Sequence, residues 1–186
     1  MHQRSNCILA AALLCLATPA AAQQEERSVV FPRGTGMFSI EGRYVVGVED
    51  GEDLPNVALA YDHLVLDNFS LGLEVAGYGY FKDGDDTAAI GLHGRLRHHV
   101  FEFGDDATMF LGVGFGPIYG GESMPAGGTH LNFVSRAGLG GAWKVRDDMV
   151  LTLGVDFWHL SNGQIVDGEN PAINGVQGYV GIGWRL

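Results

Sequence analysis

Within DFWHLSNGQIVDGENPAING (Asp156–Gly175), His159 and Ser161 stand two residues apart at the end of an alternating run. The preceding MVLTLGVDF places Met149, Leu151, Leu153, Val155 and Phe157 on one face, and the same parity continues through His159 and Ser161. Residues i and i+2 of a strand are about 6.6 Å apart along it, a gap that an imidazole and a short hydroxyl can close with one hydrogen bond. A histidine beside a serine is the minimal activated nucleophile, because the ring can take the hydroxyl proton as the oxygen attacks an acyl carbon. On spacing alone such a pair is more often a polar fringe where a strand leaves an apolar layer. The elements that carry it therefore matter.

Alternation of period two appears eight times, over about Met37–Glu49, Asn56–Leu66, Phe69–Phe81, Thr87–Phe103, Thr108–Tyr119, His130–Val145, Met149–Asn162 and Val176–Leu186. Each of these runs reaches the roughly nine to eleven residues that a transmembrane strand needs and exceeds the usual soluble strand of about five or six. In the third run, the glycine before Tyr78 and Tyr80 is a point where the pleat could reset. A soluble lipocalin-like barrel or a sandwich would turn its apolar face inward. Arg43, Arg95, Arg136 and Lys144 lie mid-run on the polar face, which suits a lumen with paired charges. The pattern predicts an all-β protein, an eight-stranded antiparallel transmembrane β-barrel of the outer membrane, apolar outside and polar inside.

An export signal agrees. Arg4, the apolar CILAAALLCLA and the small residues of TPAAAQ form a secretory signal peptide over residues 1–22, with a single barrel domain over 23–186. Cys15 follows Leu14, which speaks against lipoprotein acylation. The only cysteines, Cys7 and Cys15, lie in the leader, so the mature chain has no disulfide, cysteine-ligated metal or cysteine nucleophile. The formal charge of −11 argues against nucleic acid as a partner.

Connection lengths predict the orientation. The links DN, GDD and RDD after the second, fourth and sixth runs are short, whereas GGESMPAGGT and GQIVDGENPAING are long. Outer-membrane barrels keep short turns in the periplasm and longer loops outside. The seventh strand then runs outward, and His159 and Ser161 face the outer leaflet of a Gram-negative outer membrane.

The string HLSNGQIVDGENPAIN resembles the signature of the outer-membrane lipid A 3-O-deacylases (the PagL family): His-x-Ser-Asn, a short loop, Asn-Pro and a further polar or acidic residue. The resemblance makes His159 the general base and Ser161 the nucleophile, with Asn162, Asn170 and the amide of Gly163 supporting the oxyanion. Where the family pattern has a glutamate four residues after the loop asparagine, counting from Asn170 gives Asn174. Asparagine can orient an imidazole but cannot stabilise its cation by charge. Glu169 is the nearest alternative acid, whereas Asn174, if in step with the eighth strand, shares the outward face of Val176, Val180 and Ile182. The resemblance implies a serine esterase acting on lipid A in lipopolysaccharide, with no metal or organic cofactor. A non-enzymatic barrel serving as an adhesin or membrane stabiliser, or a broader phospholipase or esterase, are the alternatives. The sequence leaves the acyl chain removed, any latency and homodimerisation open.

Other polar residues are read as structural. His93 and His99 point inward, His63 and His98 outward near a rim, and His130 starts a strand, exposed towards a loop. Asp156 and Arg136, inward on neighbouring strands, are expected to form an ion pair.

Overall fold

The computed structural model describes residues 29–48, 52–81, 86–125, 127–165 and 171–186, so the leader lies outside the described residues. Eight antiparallel strands, β1 Gly36–Gly47, β2 Asp53–Leu66, β3 Phe69–Tyr80, β4 Thr87–Phe103, β5 Ala107–Met124, β6 Thr129–Arg146, β7 Met149–Ser161 and β8 Ile173–Arg185, pair in chain order. β1 closes the barrel against β8. Closure gives every strand two neighbours, so no edge is left without backbone partners.

The alternating side chains decide which face is which. On β7, Leu153, Val155 and Phe157 are exposed while Val150, Thr152, Asp156 and Trp158 are buried inside. The exposed belt continues round the barrel through Leu59, Leu73, Leu92, Leu111, Leu139 and Val180. An apolar exterior around a charged interior is the inverse of a water-soluble barrel and is what a lipid surroundings selects. Val155 sits at the middle of β7, so Val155→Arg should lower barrel stability by about 2 to 4 kcal/mol in vesicles. Thr152→Ser, on the inward parity, should cost far less. Urea unfolding of the two variants in phospholipid vesicles checks this, and equal midpoints would mean that Val155 does not face lipid.

The interior is layered. At the short-turn end Val30, Phe31, Met37, Leu64, Phe110, Ala142 and Val150 form an apolar cluster. Phe31 comes from the segment before β1 and stacks on His99 at 4.2 Å, while Arg185 Nη2 donates to the Val30 carbonyl at 2.6 Å. At the opposite end Leu54, Tyr78, Tyr80, Ile118, Met124, Trp158, Leu160 and Ile173 belong to a second apolar cluster.

Between them lies a charge layer. Arg43 donates to Glu41 Oε2 at 2.7 Å and to both Glu74 oxygens at 2.8 and 2.7 Å. Arg95 bonds Asp62 and Glu41, and Arg97 donates to Glu41 at 2.7 Å. Arg136 and His93 also converge on Glu74, at 2.6 and 3.1 Å. Room for these long side chains comes from glycine: a Cβ on Gly114 would strike the Arg136 side chain.

Several expectations change. The pleat of β3 does not reset, and Tyr78 and Tyr80 point inward, because alternation runs unbroken from Ser70 to Tyr80. The expected Arg136–Asp156 ion pair is replaced by Arg136–Glu74, since the long Arg136 side chain reaches that carboxylate across the lumen, at 2.6 Å. His130, expected at a strand start, is the exposed second residue of β6, and its ring is not free in a loop but stacks on Tyr119 at 5.9 Å. GGESMPAGGT is largely strand: β5 extends to Met124 and β6 begins at Thr129, with a register shift between Tyr119 and Met124. Lys144 sits near the short-turn end, 3.5 Å from Asp106.

Candidate active site

β7 carries His159 and Ser161 on its outward parity, the continuation of Leu153, Val155 and Phe157. β8 starts at Ile173, three residues earlier than its alternation suggests, and this extension brings Asn174 into direct register with His159. The extension is held from the other side as well, because Val48 N donates to the Asn174 carbonyl at 2.9 Å.

The three side chains form one chain of contacts. His159 Nδ1 lies 2.8 Å from Asn174 Oδ1, and His159 Nε2 lies 3.1 Å from Ser161 Oγ. With Oδ1 as acceptor, Nδ1 carries the ring proton, and the lone pair of Nε2 is left to accept from the Ser161 hydroxyl. Both ring nitrogens are thereby engaged. The imidazole cannot turn without giving up both bonds, and the half-buried hydroxyl remains accessible from the outward face.

The turn after β7 is tightly specified. Asn162 lies on the inward parity, 1% exposed, and its Oδ1 accepts from Gln164 N at 2.8 Å. Its carbonyl accepts from Ile165 N at 3.2 Å. Gly163 and Gln164 both have positive φ, 63° and 58°, a left-handed bend that glycine adopts without steric cost. The Asn162 side chain therefore points away from Ser161 and fixes the bend at Gly163. Glu169 and Asn170 lie outside the described residues.

One neighbour was not visible from sequence. Ser135 of β6 stands directly opposite His159, and Phe133 opposite Ser161. Spacing along the chain gives no hint of this, since it depends on the register of two strands.

The comparisons with known proteins bear on the fold and the family. A search of curated protein sequences returns no match. Among solved structures, the outer-membrane enzyme PagL aligns with a TM-score of 0.57 at 14% identity, over 80% of this chain and 98% of its own. Neisserial surface protein A gives 0.57 at 11% identity, over 82% and 95%. OprG of Pseudomonas aeruginosa gives 0.53 at 13%, over 84% and 97%. These likenesses establish the outer-membrane barrel fold. The model of the family described as lipid A 3-O-deacylase (PagL) matches residues 56–183, a span that includes most of β2, all of β3 to β7 and nearly all of β8. With most of the chain matched, the protein belongs to the PagL family of lipid A 3-O-deacylases.

Proposed function

We propose that this protein is an outer-membrane serine esterase that hydrolyses the 3-O-linked acyl chain of lipid A. The observation that carries the reading is the Asn174–His159–Ser161 chain of hydrogen bonds on the outward face of a barrel whose family acts on that ester. His159 Nε2 takes the proton of the Ser161 hydroxyl as its oxygen attacks the ester carbonyl. The tetrahedral oxyanion is met by amides of the bend at Gly163, with the fixed turn of Asn162 and the loop residue Asn170 in support. Collapse expels the sugar 3-oxygen, which takes the proton back from His159 and leaves an acyl-enzyme on Ser161. Water, deprotonated by His159, then releases the fatty acid and restores the serine. Asn174 holds the ring in the tautomer that both half-reactions need.

A site at the long-connection end, turned sideways, suits a substrate that stays in its leaflet. The ester need not be lifted into water; only the hydrolytic water must reach the rim. This favours the outer leaflet as the place of reaction. Mass spectrometry of lipid A from a Gram-negative host with and without the protein tests the reading. The expected result is a species lighter by one 3-O-acyl chain that depends on Ser161. An unchanged lipid A profile with folded protein in the outer membrane would leave the non-enzymatic barrel as the better account.

A further inference from the structure

The outward face of β6 next to the site is apolar, with Leu131, Phe133, Ala137 and Leu139 in sequence, apart from one hydroxyl, that of Ser135. Ser135 is half-buried and has no hydrogen-bond partner among the described residues. Its cross-strand neighbours are His159 on β7 and Phe115 on β5. Of these two only His159 is polar, and its two ring nitrogens are already taken by Asn174 and Ser161. The phenyl rings of Phe115 and Phe133, stacked at 5.9 Å with an interplanar angle of 5°, wall the other side. In hydrocarbon a lone hydroxyl is costly, so its partner should come from what binds there.

Depth identifies the partner. Ser161 is level with Phe133, whereas Ser135 is level with His159 and so lies two residues nearer the middle of the barrel. Diagonal neighbours on a sheet face stand about 7 to 8 Å apart. A substrate whose ester carbon sits on Ser161 has its sugar towards the rim and its acyl chain running down past Ser135. The group that meets the Ser135 hydroxyl is then one of the first carbons of the acyl chain. A plain alkyl chain offers nothing to bond at that depth; a hydroxylated one does.

We infer that Ser135 is a specificity-determining residue, whose hydroxyl bonds a hydroxyl carried by the leaving acyl chain within about three carbons of the ester. The inference rests on the esterase reading above and adds to it the chemistry of the acyl group. It predicts discrimination by a polar contact beside the reacting ester, the kind of contact whose loss from the substrate leaves a site group unpaired.

The test uses two synthetic glucosamine lipids that differ only in the 3-O-acyl group, tetradecanoyl in one and 3-hydroxytetradecanoyl in the other, presented in detergent micelles to the full barrel. The wild type should favour the hydroxylated ester by about tenfold in kcat/KM, the scale of one neutral hydrogen bond. Ser135→Ala should bring that ratio close to one, and Ser135→Thr, which keeps the hydroxyl, should retain a preference. A heat-modifiable gel shift verifies that each variant is folded. A wild type that cleaves both esters equally, or a ratio unchanged in Ser135→Ala, overturns the role of Ser135 and leaves the esterase standing. A folded wild type that cleaves neither ester overturns the esterase reading and this inference with it.

Discussion

Replacing Ser161 by alanine should abolish fatty-acid release from lipid A, by about 10⁴-fold or more, in a barrel that still folds. The fold is expected to survive because Ser161 is half-buried on the outward face at the last position of β7. His159→Ala should cost about as much, and the double variant little more than either, since base and nucleophile act as one unit. Asn174→Ala should slow turnover by a smaller factor, on the order of 10², and by more than Glu169→Ala. The 2.8 Å contact to His159 Nδ1 is the reason to expect that ranking. Release of labelled fatty acid from purified lipid A in micelles measures all five variants. Near wild-type turnover in folded Ser161→Ala would remove the serine from the chemistry, and the reverse ranking of Asn174 and Glu169 would pass the orienting role to the acid.

The second large effect is on the barrel itself. Glu74 receives Arg43, Arg136 and His93 within hydrogen-bond range, with Arg95 at 3.5 Å, at an essentially buried carboxylate. Glu74→Ala leaves these arginines facing one another without their shared counter-charge. Breaking one buried pair by removing a partner costs about 3 to 5 kcal/mol, and here one carboxylate serves several donors. Glu74→Gln keeps the shape and some acceptor capacity and should cost less; Glu74→Ala combined with Arg136→Ala should recover part of the loss. Urea midpoints of refolded protein in vesicles report the order. A Glu74→Ala barrel within about 0.5 kcal/mol of the parent, the usual range for surface substitutions, would mean that the layer is hydrated enough to dispense with pairing.

Much of this architecture was legible because a lipid-facing strand writes its two faces into alternate residues. Leu153, Val155 and Phe157 against Thr152 and Asp156 read as a barrel strand without any structure, and the turns DN, GDD and RDD marked one end. The same parity carried His159 and Ser161 outward. Interior pairing was less legible: parity puts Arg136, Asp156 and Glu74 all inside, but which carboxylate an arginine reaches depends on side-chain length across the lumen, and Arg136 passes Asp156 for Glu74. Alternation also understated strand length where small or turn-favouring residues continue a strand, as in Gly120–Met124 of β5 and Ile173–Gly175 of β8. Ser135 was invisible for a related reason. It becomes part of the site only through the β6–β7 register.

The two apolar layers that sandwich the charges bear on what the cell risks by making this barrel. Phe31 and Phe110 close one end of the lumen, and Trp158, Tyr80 and Leu54 close the other, all at most 1% exposed. An ion entering from either side would have to leave its hydration shell in an apolar plug before meeting a layer whose arginines and carboxylates already hold one another. Among the described residues the lumen is thus shut to hydrated ions at both ends, so that a barrel of this build, inserted in large numbers, should open no passive leak in the membrane that holds it.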